Sequence, residues 1–347
     1  MNAKSIRKGI TAHGQQPALQ MAGYSKLAAL FFTALLVAMA VGPLVLPPFW
    51  VYQFTGVMAF AIAALGLNLI TGYVGLISLG HNAFFALGSY VAVLALTTLG
   101  TSYVAAALIA GLVSFCVGLL AGFPAQRLRG LYLALITLVL AVSVAPLIKH
   151  FKDYTGGAAG LLFDPPQPPS WFSLSGDAWV YYMVMAFAIA AFVLVRNFVG
   201  GSTGRALAAV REGPLAASSM GVNVDFHKVL IFGVGSMLAG VGGAMQAYMV
   251  GFIGPDSFTL MLSIGFLAAI VVGGLGTIWG ALVAGLFLQF VPSFASDLGQ
   301  ALAGAVYGGI LIACMFLMPN GIVGSLIGFA RKRAEAQRGA VAGHRRA

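Results

Sequence analysis

Long, uninterrupted runs of apolar residues constrain this sequence more than any other feature. There are about ten such runs, most of them near the ~20 residues that a helix needs to cross a bilayer. Of the 347 residues, 60% are hydrophobic and 7% are charged, whereas a soluble domain carries about 25% charged residues. We therefore predict an all-α fold, a polytopic integral membrane protein, and exclude a soluble enzyme.

Glycine, proline or charged residues separate the runs and set the predicted span boundaries. The first run contains Ala38-Met39-Ala40, a small-residue pattern found at signal cleavage sites. It is longer than a signal core, so we interpret it as the first span. The ten predicted transmembrane spans lie at 27–46, 49–69, 82–99, 103–123, 131–148, 179–196, 229–250, 260–273, 279–294 and 301–318.

The basic residues are distributed very unevenly between the two sides of this topology. With ten spans, all of the 18 Lys and Arg residues except Lys149 and Lys152 fall on the side of the two termini. Positive residues mark the cytoplasmic side of a membrane protein. We therefore expect a protein of the bacterial inner membrane whose two termini are both cytoplasmic. The basic tails, residues 1–26 and 326–347, are expected to contact membrane lipids rather than nucleic acid, and 27–325 is the membrane domain.

Signatures of catalysis are missing from the sequence. It contains neither a phosphate-binding Gly-x-x-x-x-Gly-Lys-Ser/Thr loop nor a His-Glu-x-x-His zinc motif. We expect no catalytic residue, no metal site and no bound cofactor, and hence not an enzyme. An ion-coupled carrier would place ionisable residues within the spans, where the sequence offers only His81 and, at span edges, Asp256 and Asp297.

The segment 66–85 combines glycines with polar residues at membrane depth. Gly72, Gly75 and Gly80 predict a break in the helix, and irregular backbone is tolerated there only inside protein or beside a water-filled cavity. Two interpretations are open: a translocation path, or interhelical hydrogen bonding between packed spans. The polar side chains concerned are those of Asn68, Ser78, His81 and Asn82.

A cytoplasmic segment, 204–221, predicts a short helix at 214–220. Proline favours a helix start and glycine the position after its end, as Pro214 and Gly221 stand here. Ala216 and Ala217 are small enough to seat in a groove on another protein, which makes this segment the predicted coupling loop. The residues assigned to that loop are Arg205, Arg211, Glu212, Pro214, Ala216, Ala217, Met220 and Gly221.

Small residues recur at every fourth position in a later segment. Gly276, Gly280 and Ala284 would share one helix face, the pattern of closely packed membrane helices. We therefore predict a packing role for these three residues.

Together these motifs resemble the permeases of branched-chain amino acid ABC importers, the LivH/LivM family, and the long N-terminus resembles its LivM-type member. The resemblance covers about residues 50–325. The motifs that carry it are Gly66-Leu67-Asn68-Leu69, Ser78-Leu79-Gly80-His81, Gly204-Arg205-Ala206-Leu207, Arg211-Glu212, Ala216-Ala217, Met220-Gly221, Pro255-Asp256-Ser257-Phe258 and Gly273-Gly274-Leu275-Gly276.

This resemblance implies a permease domain at 27–325 that works with a second, homologous permease, two cytosolic ATP-binding subunits and a periplasmic substrate-binding protein. ATP would be used by the partners. It also implies that 212–221 match the ATPase-contacting motif Glu-Ala-Ala-x-x-x-Gly, although Leu215 stands where the Glu would fall. The implied cargo is leucine, isoleucine or valine, with other amino acids, urea or short amides left open.

The alternative function is an autonomous secondary transporter or channel for a small polar solute. The coupling loop and the scarcity of charge within the spans favour the importer permease. We also expect the spans at 49–148 and 229–318 to form two inverted repeats, as in many transporters. The break at 78–84 would then correspond to 254–258.

Overall fold

The computed structural model describes residues 37–128, 130–169 and 174–297, together with the short stretches 308–309, 312–313, 316 and 321–325. Helical residues 37–45 lead into the first long helix. The helices are α1 Pro48–Leu67, α2 His81–Leu99, α3 Tyr103–Arg127, α4 Leu131–His150, α5 Lys152–Thr155, α6 Gly176–Gly200, α7 Ser202–Glu212, α8 Pro214–Ser219, α9 Val224–Val250, α10 Leu260–Gly273 and α11 Ile278–Asp297.

Three shorter elements complete the described fold. A π-helical turn, Asn68–Tyr73, continues α1, and a 3-10 turn, Pro255–Ser257, precedes α10. Two strands, β1 Leu161–Leu162 and β2 Phe252–Ile253, pair antiparallel.

The all-α, polytopic class predicted from the sequence is confirmed. Within the described ranges, seven helices are long and apolar enough to cross a membrane, and Ile278–Phe294 is a shorter apolar helix. These eight coincide with the second to ninth predicted spans. Part of the first predicted span and most of the tenth lie outside the described residues, as do both basic tails. The total of ten therefore stays a prediction.

Helices α1 and α9 form the centre of the bundle. About 89% of the apolar stretch of α1 and 72% of that of α9 is buried, against 33% for α3 and 28% for α4. Helix α9 packs against α1, α2 and α3, while α6 and α11 pack on α1. Lipid tails give no hydrophobic force between helices, so close packing depends on small residues. Helix α9 supplies them as Gly233, Gly235, Gly240, Gly242 and Gly243.

The connections between helices gather at two ends of the bundle. At the proline-rich end, formed by 151–169 and 251–259, β1 pairs with β2 and the Lys149 amine lies 3.8 Å from the Asp256 carboxylate. At the coupling end, formed by 72–80, 201–223 and 274–277, Arg211 reaches the carbonyl of Gly72. The cytoplasmic position of the coupling end stays a prediction.

This topology gives a direct labelling prediction. Gln167 at the proline-rich end and Ser219 at the coupling end are both exposed. In a background with Cys116→Ala and Cys314→Ala, we expect Gln167→Cys to react with a membrane-impermeant maleimide from outside the cell. Ser219→Cys should react only after the membrane is permeabilised. Reaction of both from the same side would contradict the arrangement.

Candidate functional site

The predicted break between the first two long helices is present in the structure. After the π-helical turn, residues 74–80 run without regular structure until α2 begins at His81. Gly75 adopts a φ of +80°, a conformation that other residues rarely adopt. At Gly72 a side chain would overlap the backbone nitrogen of Gly276. Here glycine is needed for a close approach between two irregular segments.

Asn68 joins the end of α1 to the connection between α10 and α11. Its Nδ2 donates to the carbonyl of Thr277 at 2.7 Å, and its Oδ1 accepts from the backbone nitrogen of Gly276 at 2.9 Å. The residue is 1% exposed. The amide nitrogen of Asn68 thus donates one hydrogen bond and its amide oxygen accepts another. Together they hold the connection between α10 and α11 against the end of α1.

Asn82 makes the corresponding link at the start of α2. Its Nδ2 donates to the carbonyls of Phe258 and Thr259, at 2.9 and 3.0 Å, just before α10 begins. The neighbouring His81 donates from Nε2 to the carbonyl of Ala63 on α1 at 2.7 Å, which places its proton on Nε2. These two residues fix the start of α2 against α1 and α10.

The four polar residues predicted for a translocation path are all buried in this conformation. Asn68, Ser78, His81 and Asn82 are each at most 1% exposed. Three of these residues make the interhelical hydrogen bonds of the second interpretation. Among the described residues, Ser78 Oγ, His81 Nδ1 and Asn82 Oδ1 have no hydrogen-bond partner. Their contact with a transported solute stays a prediction.

Replacing Asn68 tests the amide link. We expect Asn68→Leu to lower the melting temperature and the membrane abundance of the permease. It would leave the Gly276 N–H unpaired, at about 1–3 kcal/mol, while the Thr277 carbonyl would keep only its hydrogen bond from the Gly280 nitrogen. Asn68→Asp keeps the acceptor for Gly276 but sets a carboxylate against the Thr277 carbonyl at a site that is 1% exposed, so a loss at least as large is expected. The control is Asn197→Leu, at an exposed position near the end of α6. Equal melting temperatures for Asn68→Leu and the wild type would show that the link is dispensable.

The predicted short helix of the coupling loop is present as α8, Pro214–Ser219, one residue shorter than expected. Pro214 occupies its first turn, and Gly221 follows its end with a φ of +82°. Helices α7 and α8 pack together, and Gly213 between them is hydrogen-bonded into both. Its nitrogen donates to Ala209 at 3.1 Å, and its carbonyl accepts from Ala217 at 2.9 Å. Helices α7 and α8 therefore form one connected unit.

The exposed face of α8 differs from the predicted one. Ala217 is 4% exposed and belongs to the core of its own chain, so the prediction that it seats in a partner's groove is wrong. Ala216 is exposed as predicted. The large exposed side chains are Leu215, at 76%, and Met220, at 86%. We name Leu215, Ala216 and Met220 the apolar coupling face.

The sequence assigned Arg211 to the coupling loop but did not predict its contact with the end of α1. Its Nη1 donates to the carbonyl of Gly72, and a side chain built on Gly276 would come within 3.2 Å of the same nitrogen. Arg205 and Glu212 are exposed, and the described structure shows no ion pair between Glu212 and either arginine. The Gly72 contact spans 139 positions, so no local signal could have indicated it.

The small-residue pattern holds only in part. Gly276 lies before α11 begins, in a turn with a φ of +74°, so its predicted place on the helix face is wrong. Gly280 and Ala284 do lie on α11, and Ala284 is fully buried. Helix α11 approaches α1 closely at Gly285, where a side chain would overlap the carbonyl of Val57. Gly285 was not among the predicted packing residues, although it directly follows Ala284.

A pocket opens at the proline-rich end, between α1, α6, α9 and the 165–167 segment. Its volume is about 550 Å³, including the open mouth. One carboxylate, Asp177, borders it. Among the described residues, no group of three or more His, Cys, Asp or Glu could hold a metal ion. The residues lining the pocket are Tyr52, Thr55, Pro165, Pro166, Gln167, Gly176, Asp177, Val180, Tyr248 and Met249.

Comparison with known proteins agrees with the helical architecture. Residues 50–315 match the model of a family described as "Branched-chain amino acid transport system / permease component". The high-affinity branched-chain amino acid transport system permease protein LivM of Escherichia coli (strain K12) is 29% identical over 318 residues, covering 85% of this chain and 74% of that protein. The corresponding LivH of the same strain is 26% identical over 296 residues, covering 76% and 91%.

A solved structure is similar at a lower level. The structure of PsaBC from Streptococcus pneumoniae in complex with Fab gives a TM-score of 0.41 at 16% identity, covering 82% of this chain and 97% of that one. The family match extends over more than half of the chain, through both helix breaks and the coupling loop. This chain therefore belongs to the family of branched-chain amino acid transport system permease components.

Proposed function

We propose that this chain is the LivM-type permease subunit of a binding-protein-dependent ABC importer for branched-chain or related amino acids. In this proposal a second, homologous permease completes the translocation path, and two cytosolic ATP-binding subunits hydrolyse ATP. A periplasmic binding protein delivers the solute at the proline-rich end. The chain itself holds no cofactor, and both of its termini are cytoplasmic.

The observation that carries the proposal is the connected unit of α7 and α8. An ATPase that drives a permease needs a stiff element to act on, because a flexible loop would absorb the displacement. Here Pro214 begins the short helix, Gly213 is hydrogen-bonded into both α7 and α8, and the apolar coupling face points away from the chain. Exposed apolar residues beyond the bilayer favour a protein partner.

The described ionisable residues give little support to an ion-coupled carrier. Asp256 is 91% exposed and faces Lys149 at the proline-rich end, so it does not lie within the bundle. His81 is buried, but its Nε2 is used to bind the Ala63 carbonyl. The side chain of Asp297 lies outside the described part of the structure. An energy source on partner subunits fits these positions better than a coupling ion.

Reconstitution tests the proposal against its alternative. The tagged chain would be purified with its associated subunits and placed in liposomes, with ATP inside and labelled leucine and the binding protein outside. We expect uptake that requires both ATP and the binding protein, with isoleucine and valine as competitors. Uptake by the chain alone, driven by an ion gradient without ATP, would instead establish a secondary transporter.

A further inference from the structure

Arg211 occupies the point where the coupling unit meets the irregular segments of the membrane domain. It lies in the last turn of α7, two residues before Gly213 and the start of α8. Gly213 is hydrogen-bonded into both α7 and α8, and the two helices pack together, so we expect a displacement of α8 to move α7. The side chain of Arg211 extends from this unit to the end of α1, where it contacts the carbonyl of Gly72.

The contact is chemically well matched. The guanidinium donates to the carbonyl of Gly72, in the π-helical turn that ends α1. Carbonyls in the last turn of a helix lack partners within the helix, and the negative end of the helix dipole favours a cation there. Hydrogen bonds from charged donors are stronger than neutral ones. Arg211 thus binds a position that needs a partner.

The same site includes the connection between α10 and α11. Gly72 and Gly276 approach so closely that a side chain on Gly72 would overlap the nitrogen of Gly276. Asn68 holds Gly276 and Thr277 from the other side. The Arg211 guanidinium therefore lies against two irregular segments. About 200 positions of the chain separate these segments, the same separation that the Asn68 hydrogen bonds span.

We propose that Arg211 is a positioning residue that transmits the movement of α7 and α8 to the ends of α1 and α10. The inference rests on the proposed function, because it needs ATPase subunits that move α8. Arg211 touches neither the solute nor ATP. It acts through Gly72 and Gly276, whose segments lead into α2 and α11. Loss of the Arg211 side chain should uncouple ATP hydrolysis from transport while the complex stays assembled.

The test uses the complete complex in liposomes and three variants. Arg211→Met keeps the length of the side chain and removes the donor, and Arg211→Lys keeps a charged donor. Arg127→Met is the matched control, since Arg127 is an exposed arginine at the end of α3, outside the coupling loop. Three quantities are measured: permease with bound ATPase recovered, ATP hydrolysis, and leucine taken up per ATP hydrolysed.

We expect Arg211→Met to lower uptake per ATP about tenfold, within the range of coupling between distant sites. Recovery of the complex and ATP hydrolysis should stay within about twofold of the wild type, which is small on that scale. Arg211→Lys should restore most of the ratio, and Arg127→Met should not change it.

Two results would overturn the inference: an unchanged ratio in Arg211→Met, with or without a loss of assembled complex, or an equal loss of the ratio in Arg127→Met. Wild-type complex that shows no ATP-driven uptake would instead refute the proposed function, before any variant is compared.

Discussion

Replacing Leu215 with aspartate is expected to release the ATPase subunits from the permease and to abolish uptake. Leu215 is 76% exposed on α8, where it is the central apolar side chain of the coupling face. A partner that buries this side chain would instead bury an unpaired carboxylate, which is costly because an ion loses its hydration. Hot-spot residues, which cluster near the centre of an interface, cost about 2 kcal/mol or more when truncated.

The fold of the permease should survive this change, because Leu215 makes little contact with its own chain. The measurement is the amount of ATPase that co-purifies with tagged permease, alongside membrane abundance. The control is Leu162→Asp, the same substitution at an 83% exposed leucine on the proline-rich end. It should retain the ATPase in full. Retention of the ATPase by both variants would place the contact elsewhere.

Substituting tryptophan at each of two adjacent alanines distinguishes a contact with a partner from packing within the chain. Ala216 is exposed on α8, whereas Ala217 is 4% exposed and packed in the core. Ala216→Trp should therefore lose the ATPase from a normally abundant permease. Ala217→Trp should lower the abundance of the permease itself, because overfilling a packed site costs about 1–3 kcal/mol.

The sequence predicted α8 well and its exposed face poorly, for distinct physical reasons. The start and end of the helix depend on local conformational preferences, which Pro214 and Gly221 carry in their own backbone. The burial of Ala217 depends on where α7 and α9 lie around the short helix. Two adjacent alanines in a short helix have the same local preferences, so only the tertiary structure distinguishes them.

The helix break and the small-residue pattern show the same contrast between local preferences, which the sequence reveals, and tertiary contacts, which it does not. The glycines between 72 and 80 predicted the irregular segment, since glycine permits close approach and positive φ. At Gly276 the same two properties led to a wrong prediction, because glycine serves a turn as readily as a helix face. The partners of Asn68 and Asn82 lie 176 to 209 positions away. A single sequence holds no signal for such pairs.

Gly88→Ala is expected to cause the largest loss of folded permease. Gly88 lies on α2 where this helix crosses α9, the helix that packs against α1, α2 and α3. An added methyl group would overlap the carbonyl oxygen, the carbonyl carbon and the Cα of Gly240. All three are backbone atoms of a helix, so no side-chain rotation can relieve the overlap. The two helices would have to separate.

Separation would be costly because membrane helices gain their stability from close packing and not from a hydrophobic force between them. Overpacking costs about 1–3 kcal/mol, and occasionally more, even where side chains can adjust, so we expect a severalfold fall in abundance and a lower melting temperature. Gly176→Ala is the control, since Gly176 begins α6 and nothing lies within 4 Å of the added methyl. Unless Gly88→Ala falls well below Gly176→Ala in detergent melting and in membrane yield, α2 and α9 cannot cross as closely as described.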